Sequence, residues 1–164
     1  MGGMTPILAL VLAAVASAPT PLARLAALAG DWEGTSEWTG ARTGGGKMDA
    51  RYYVTGNGSA VVEDLLANGT PIMTTVYHMD GADLRMTHYC GAANQPRLKA
   101  RSASAPILEF DYVDATNLAS PEAPHVDGLT VRFVDAEHVT LTFSFIGSGK
   151  KSTELIQLHR VKKA

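Results

Sequence analysis

Residues 73–90, MTTVYHMDGADLRMTHYC, alternate apolar and polar side chains on either side of Asp80-Gly81. A period of two marks a half-buried strand, and an Asp-Gly pair between two such runs marks a tight hairpin. A two-residue turn at Asp80-Gly81 would pair Tyr77 with Leu84, Thr75 with Met86 and Met73 with His88. Met73, Thr75, Tyr77, Met79, Leu84, Met86, His88 and Cys90 then share one mostly apolar face. The other face carries Thr74, Val76, His78, Asp83, Arg85, Thr87 and Tyr89, which solvent tolerates. His88 and Cys90 are therefore expected inside and His78 outside, and a slip of one residue would reverse all of them.

The same alternation continues in both directions. Strands are expected near residues 31–38, 47–55, 59–66, 72–79, 83–90, 97–102, 107–114, 129–135, 138–146 and 152–161. Thr43-Gly44-Gly45-Gly46, Gly56-Asn57-Gly58, Asn68-Gly69 and Gly147-Ser148-Gly149 separate them, residues that accept positive φ in hairpin turns. No helical segment among them is long enough to cross over between parallel strands. The expectation is an all-β fold, an antiparallel up-and-down barrel of about eight to ten strands, closed because open edges invite aggregation. Ahead of it, PLARLAALA at 21–29, with Pro first and Gly30 just after, reads as one short helix.

The chain has 164 residues, 46% hydrophobic and 18% charged, the balance of one globular domain. A formal charge of −2 excludes an affinity built on neutralising nucleic-acid phosphates. One cysteine excludes an intramolecular disulfide and a multi-thiolate zinc site. Residues 6–18, PILALVLAAVASA, end in the small-x-small pattern Ala16-Ser17-Ala18, so 1–18 reads as a secretory signal and 19–164 as the barrel domain. The apolar run is shorter than the roughly 20 residues that span a bilayer, and no cysteine follows it to carry a lipid. The expected location is periplasmic or secreted, without a stable membrane anchor.

Asn57-Gly58-Ser59 and Asn68-Gly69-Thr70 match the glycosylation pattern but have the composition of hairpin turns, and they are read as turns. The chain carries no phosphate-binding loop, nucleophile elbow or dinucleotide fingerprint.

LAGDWEGT, with Gly30-Asp31-Trp32 opening the first strand after a short helix, resembles the Gly-x-Trp signature of lipocalins and the wider calycin barrels. MTHYCGAANQPRLKAR (86–101), EFDYVDATNLASPEAPHV (109–126) and VDAEHVTLTF (134–143) resemble a family of uncharacterised lipocalin-like bacterial secreted proteins. The resemblance implies a calycin-like barrel and carries no established activity. It also implies that a basic residue on the last strand covers the signature tryptophan, with Arg160 the candidate for Trp32.

His88 and Cys90, two apart on one strand face, stand about 7 Å apart and form no obvious nucleophilic dyad. A metal site would need a further ligand, with His125 the best candidate, and no zinc-enzyme spacing is present. Asn94 and Gln95 follow directly and offer donors and acceptors that could orient a ligand at the barrel mouth, or satisfy backbone groups of a turn. The long link 116–124, containing Asn117, has the length of a lid or plug, or is a rigid connector.

The first functional reading is a barrel holding a small, largely apolar or amphipathic molecule. Its body would lie among Tyr77, Met86, Phe110, Tyr112, Leu141 or Phe143, oriented by His88, Asn94, Gln95 and His125, with Cys90 and Asn117 nearby. A second is a barrel enzyme using His88, with Cys90 and His125, or a haem protein in which His88 holds the iron, as one histidine does in barrel haem proteins such as nitrobindins. A third is a barrel filled by its own side chains, which a cavity of about 300 Å³ or more would argue against.

Overall fold

The computed structural model describes residues 18–162. The segment read as a secretory signal, apart from Ala18, lies outside the described residues. One helix, α1 (Pro21–Ala26), precedes ten strands: β1 (Gly30–Gly40), β2 (Gly44–Thr55), β3 (Ala60–Ala67), β4 (Thr70–Asp80), β5 (Asp83–Tyr89), β6 (Gln95–Ser102), β7 (Ile107–Thr116), β8 (His125–Phe133), β9 (His138–Gly147) and β10 (Lys150–Arg160). Each strand pairs antiparallel with its neighbours in sequence, and β1 pairs with β10 to close the barrel. No strand keeps an unpaired edge along its whole length, which removes the aggregation hazard of an open sheet.

The expected strands are all present with ends displaced by up to three residues, and one begins well before its expected start. β8 starts at His125 and not near 129, because a bulge between Val126 and Gly128 interrupts the alternation on which its start was judged. In the hairpin of 73–90 the turn is Gly81-Ala82, not Asp80-Gly81. Asp80 faces Asp83, Tyr77 faces Met86 and Thr75 faces His88. The expected register was off by two, an even slip that leaves each side chain on its expected face. Asn68-Gly69 and Ser148-Gly149 take two successive positive φ values, 51° and 77°, then 51° and 72°, the backbone of a type I′ hairpin.

Thr20 caps α1 by accepting from the Ala23 amide, and Pro21 occupies the first helical position, where its missing N–H costs nothing. The helix ends at Ala26, short of the expected Ala29, because Leu28 and Ala29 bond three residues back and tighten the chain. The carbonyl of Leu28 accepts from Trp32 Nε1 at 2.8 Å, so the helix exit is tied to the first strand. Leu22, Leu25 and Leu28 join the barrel core from this end, and Arg24 donates to the Ala103 carbonyl between β6 and β7.

Inward positions follow the period of two. Trp32, Tyr52, Leu65, Tyr77, Met86, Leu98, Leu108, Leu141 and Ile156 are all within 2% of full burial. Each such side chain contributes about 1.5–3 kcal/mol relative to exposure. This packing fills the barrel from the helix end through its middle. The opposite end carries the loops after β1, β3, β5, β7 and β9, and space remains there.

Candidate functional site

At that loop end lies a pocket of about 160 Å³, lined by Trp38, Arg42, Met73, His88, Cys90, Gly91, Ala92, Val126, Phe143, Phe145 and Glu154. Two breaks in the ladder help to form it. β5 and β6 share register only over Arg85 to Thr87, so His88 has no partner on β6. β2 pairs with β3 only from Asp49 onward, which leaves 44–48 without a neighbour on that side. A shallow depression bounded by Gly45, Gly46, Met48, Ile72 and Met73 adjoins the rim there.

His88 is 1% exposed, comes from β5 and packs its ring 5.2 Å from that of Phe143. Nδ1 lies 2.9 Å from the Thr75 hydroxyl, while Nε2 has no hydrogen-bond partner. Burial depresses the imidazole from 6.5 to about 4, so the ring is neutral near pH 7.

Behind His88 sits a group that the alternation alone did not single out. Glu63, fully buried on β3, accepts from Tyr52 at 2.7 Å and from Tyr77 at 3.0 Å, both at Oε2. Burial pushes its carboxyl from 4.5 to about 7, against the opposing hydrogen bonds from the two tyrosines. Its Oε1 makes no hydrogen bond within ordinary reach, and Thr75 stands directly across the ladder from it. Glu63 was legible as a carboxylate inside the apolar run VVEDLL, at the parity that Val61 and Leu65 carry into the core.

The pocket wall opposite β5 comes from β1, β9 and β10. Trp38 and Phe145 meet edge to face at 5.9 Å, and the Arg42 guanidinium covers both, 3.9 Å from the Phe145 ring and 5.0 Å from that of Trp38. Glu154 pairs across the seam with Trp38, and burial raises its carboxyl while Ser36, Trp38 and Arg42 favour its charge. None of these four residues was anticipated, because strand closure between residues far apart in the chain brings them together.

Among the sequence candidates, His88, Cys90 and Phe143 line the pocket and the others serve elsewhere. Cys90 Sγ accepts weakly from the Ala92 amide at 3.4 Å, and burial pushes its thiol up, the opposite of activation. Asn94 donates to the Pro124 carbonyl at 2.8 Å, and Gln95 accepts from Thr116 at 2.8 Å, so both fasten the loop end. His125 Nδ1 lies 2.7 Å from the Ala123 carbonyl and its ring 5.0 Å from that of Tyr112. Asn117 is exposed with φ of 55° at a turn. Tyr77 and Met86 belong to the packed core, as do Phe110 and Leu141. The space for a ligand therefore lies above these side chains, not among them. The link 117–124 is fastened through Pro124 to Asn94 and through Glu122 to the Ser148 amide.

His88 Nε2 has the donor chemistry of an axial haem ligand. The pocket that this ring lines, about 160 Å³, is open at the rim and shares Trp38, Arg42, Met73, Gly91 and Glu154 with the adjoining depression. No group of three or more His, Cys, Asp or Glu suited to a metal ion occurs among the described residues.

Fold and site together define a closed ten-stranded antiparallel barrel, blind at the helix end and pocketed at the loop end. Solved structures share this architecture. Rv2717c from M. tuberculosis superposes with a TM-score of 0.62 at 15% identity, over 89% of this chain and all of that one. A protein of unknown function from the DUF3598 family of Nostoc punctiforme PCC 73102 gives 0.58 at 10% identity, over 84% of this chain. This chain spans about half the length of the Nostoc protein (49%). No protein-family model matches, and no curated protein matches.

Proposed function

We propose that the protein is an exported barrel that binds a small, largely apolar molecule at its loop end, with His88 orienting the one polar group. The observation that carries this reading is the His88 ring. A side chain 1% exposed keeps Nε2 without a protein partner and borders a pocket lined mainly by Trp38, Met73, Val126, Phe143 and Phe145, with Arg42 and Glu154 on its wall. Buried polar groups are almost always paired, and an unpaired one beside an apolar pocket is suited to a ligand. The size of the pocket limits the buried part of the molecule to about that of a single aromatic ring. The depression beside 44–48 gives a longer molecule a way out along the rim. Export rests on residues 6–18 and their Ala-Ser-Ala ending.

Native mass spectrometry of protein purified from its own host tests binding. A retained small molecule that is lost in His88→Ala supports the reading. Ligand-free protein in both, with His88→Ala destabilised by about 1–3 kcal/mol, leaves a filled structural barrel. Terminal sequencing of the exported protein should find a start near Pro19, and a retained Met1 would end the export reading.

A further inference from the structure

Building on the pocket reading above, we infer that Glu63 and Thr75 hold the His88 ring so that Nε2 meets the ligand as a hydrogen-bond acceptor. The site then selects small molecules that end in a hydroxyl, phenol-like in size and polarity.

A buried chain of side chains links Glu63 to His88 through Thr75. Thr75 is the cross-strand partner of both Glu63 and His88, on either side of β4. Its hydroxyl has one hydrogen, and two groups compete for it: Oε1 of Glu63, which lacks any hydrogen bond, and Nδ1 of His88 at 2.9 Å. Tyr52 and Tyr77 already donate to Oε2. When Glu63 is ionised, the Thr75 hydrogen is drawn toward Oε1, and the Thr75 hydroxyl favours the charged carboxylate. The relay requires that hydroxyl to close within hydrogen-bond range of Oε1. Thr75 oxygen must then accept from Nδ1–H. A neutral imidazole has one N–H, so Nε2, which has no protein partner, is left as the acceptor of a ring that lines the pocket.

When Glu63 takes a proton the chain reverses. The acid donates to Thr75, Thr75 donates to Nδ1, and the ring carries its hydrogen on Nε2. The floor of the pocket becomes a donor without His88 gaining a charge. Glu63 titrates at about 7 and His88 stays neutral down to about 4, so the reversal falls near neutrality. Asp64, beside Glu63 on β3, favours the protonated acid. The other titratable or charged groups around this end of the ring are Cys90 from the loop after β5, Arg42 from the loop after β1 and Glu154 from β10.

Two measurements on the full chain test this: the ¹⁵N shifts of the His88 ring, which report its tautomer, and titrations with phenol and with its non-hydroxylated counterpart toluene. At about pH 8.5 the ring should carry its hydrogen on Nδ1 and phenol should bind about tenfold more tightly than toluene. At about pH 5.5 the hydrogen should move to Nε2 and the preference should shrink. Glu63→Gln, whose amide mimics the protonated acid, should hold the Nε2–H form at both pH values, with toluene affinity unchanged. Thr75→Val should remove the pH dependence by breaking the chain. An Nε2–H ring at the higher pH in the unmodified protein, or phenol binding no better than toluene while toluene binds, would overturn the inference and leave the pocket reading standing. Failure of both probes to bind would overturn the pocket reading itself.

Discussion

The Arg160 guanidinium lies 4.4 Å from the centre of the Trp32 ring and donates to the carbonyls of Ala27 and Ala29 at 2.9 Å each. Trp32 and Arg160 are register partners in the β1–β10 seam, so one side chain joins the last strand, the first strand and the end of α1. The resemblance to lipocalins implied this contact, and the geometry contains it. Arg160→Met keeps most of the aliphatic stem and removes both the cation-π attraction and the hydrogen bonds. Stability should fall by about 1–3 kcal/mol, read as a lower urea midpoint by Trp fluorescence. An unchanged midpoint would show that the latch contributes nothing.

Barrel closure also depends on Gly34. A Cβ at this position would stand 1.8 Å from the Gln157 carbonyl oxygen and 2.9 Å from its carbon, both backbone atoms of the partner strand. Backbone cannot yield as a flexible side chain can, so Gly34→Ala should force β1 away from β10. We expect a loss of about 3 kcal/mol or more, with thermal unfolding moved to markedly lower temperature. Gly46→Ala, where an added Cβ meets nothing within 4 Å, is the matched control and should be nearly silent.

Glu63 makes stability depend on pH. Its folded value, about 7, lies above the ordinary 4.5, so the unfolded chain releases this proton first as pH rises. The contribution is fully present below about 4.5 and is lost as pH climbs through about 7. Glu63→Gln should therefore be more stable than the parent at about pH 8, by about 2–3 kcal/mol at most, and should lose that advantage near pH 5. His88 acts in the opposite sense: its depressed value of about 4 means its contribution is lost as pH falls from 6.5 to that point. Urea melts at both pH values check the pair. A parent whose advantage over Glu63→Gln grows above pH 7 would contradict a buried, reluctant carboxylate.

Cys90 should react slowly. Burial raises its thiol above the ordinary 9.0, which leaves little thiolate near neutrality. Iodoacetamide at about pH 7.5 should modify the folded protein about tenfold more slowly than the urea-unfolded chain. Because Cys90 lines the pocket, a bound molecule should slow it further. Equal rates for folded and unfolded protein would exclude a half-buried thiol raised by desolvation.

The amino-acid sequence by itself determined the architecture. Alternation assigns each side chain to a face, Asn-Gly and Ser-Gly pairs impose turns, and a chain with no crossover helix closes its strands in order. Such information is local, carried within ten or so residues, which is why even the hairpin of 73–90, misjudged in register by two, still sent His88 inward. The tertiary structure alone decided the site. Glu63, Thr75 and His88 come from three strands, and Trp38, Arg42 and Glu154 meet only because β10 returns to β1. Asn94, Gln95 and His125 had polar chemistry suited to a pocket, but loop fastening used them instead. Nothing local records which of several inward polar residues will find partners. That depends on which strands become neighbours and on how much of the interior bulky side chains such as Trp32, Tyr52 and Tyr77 leave empty.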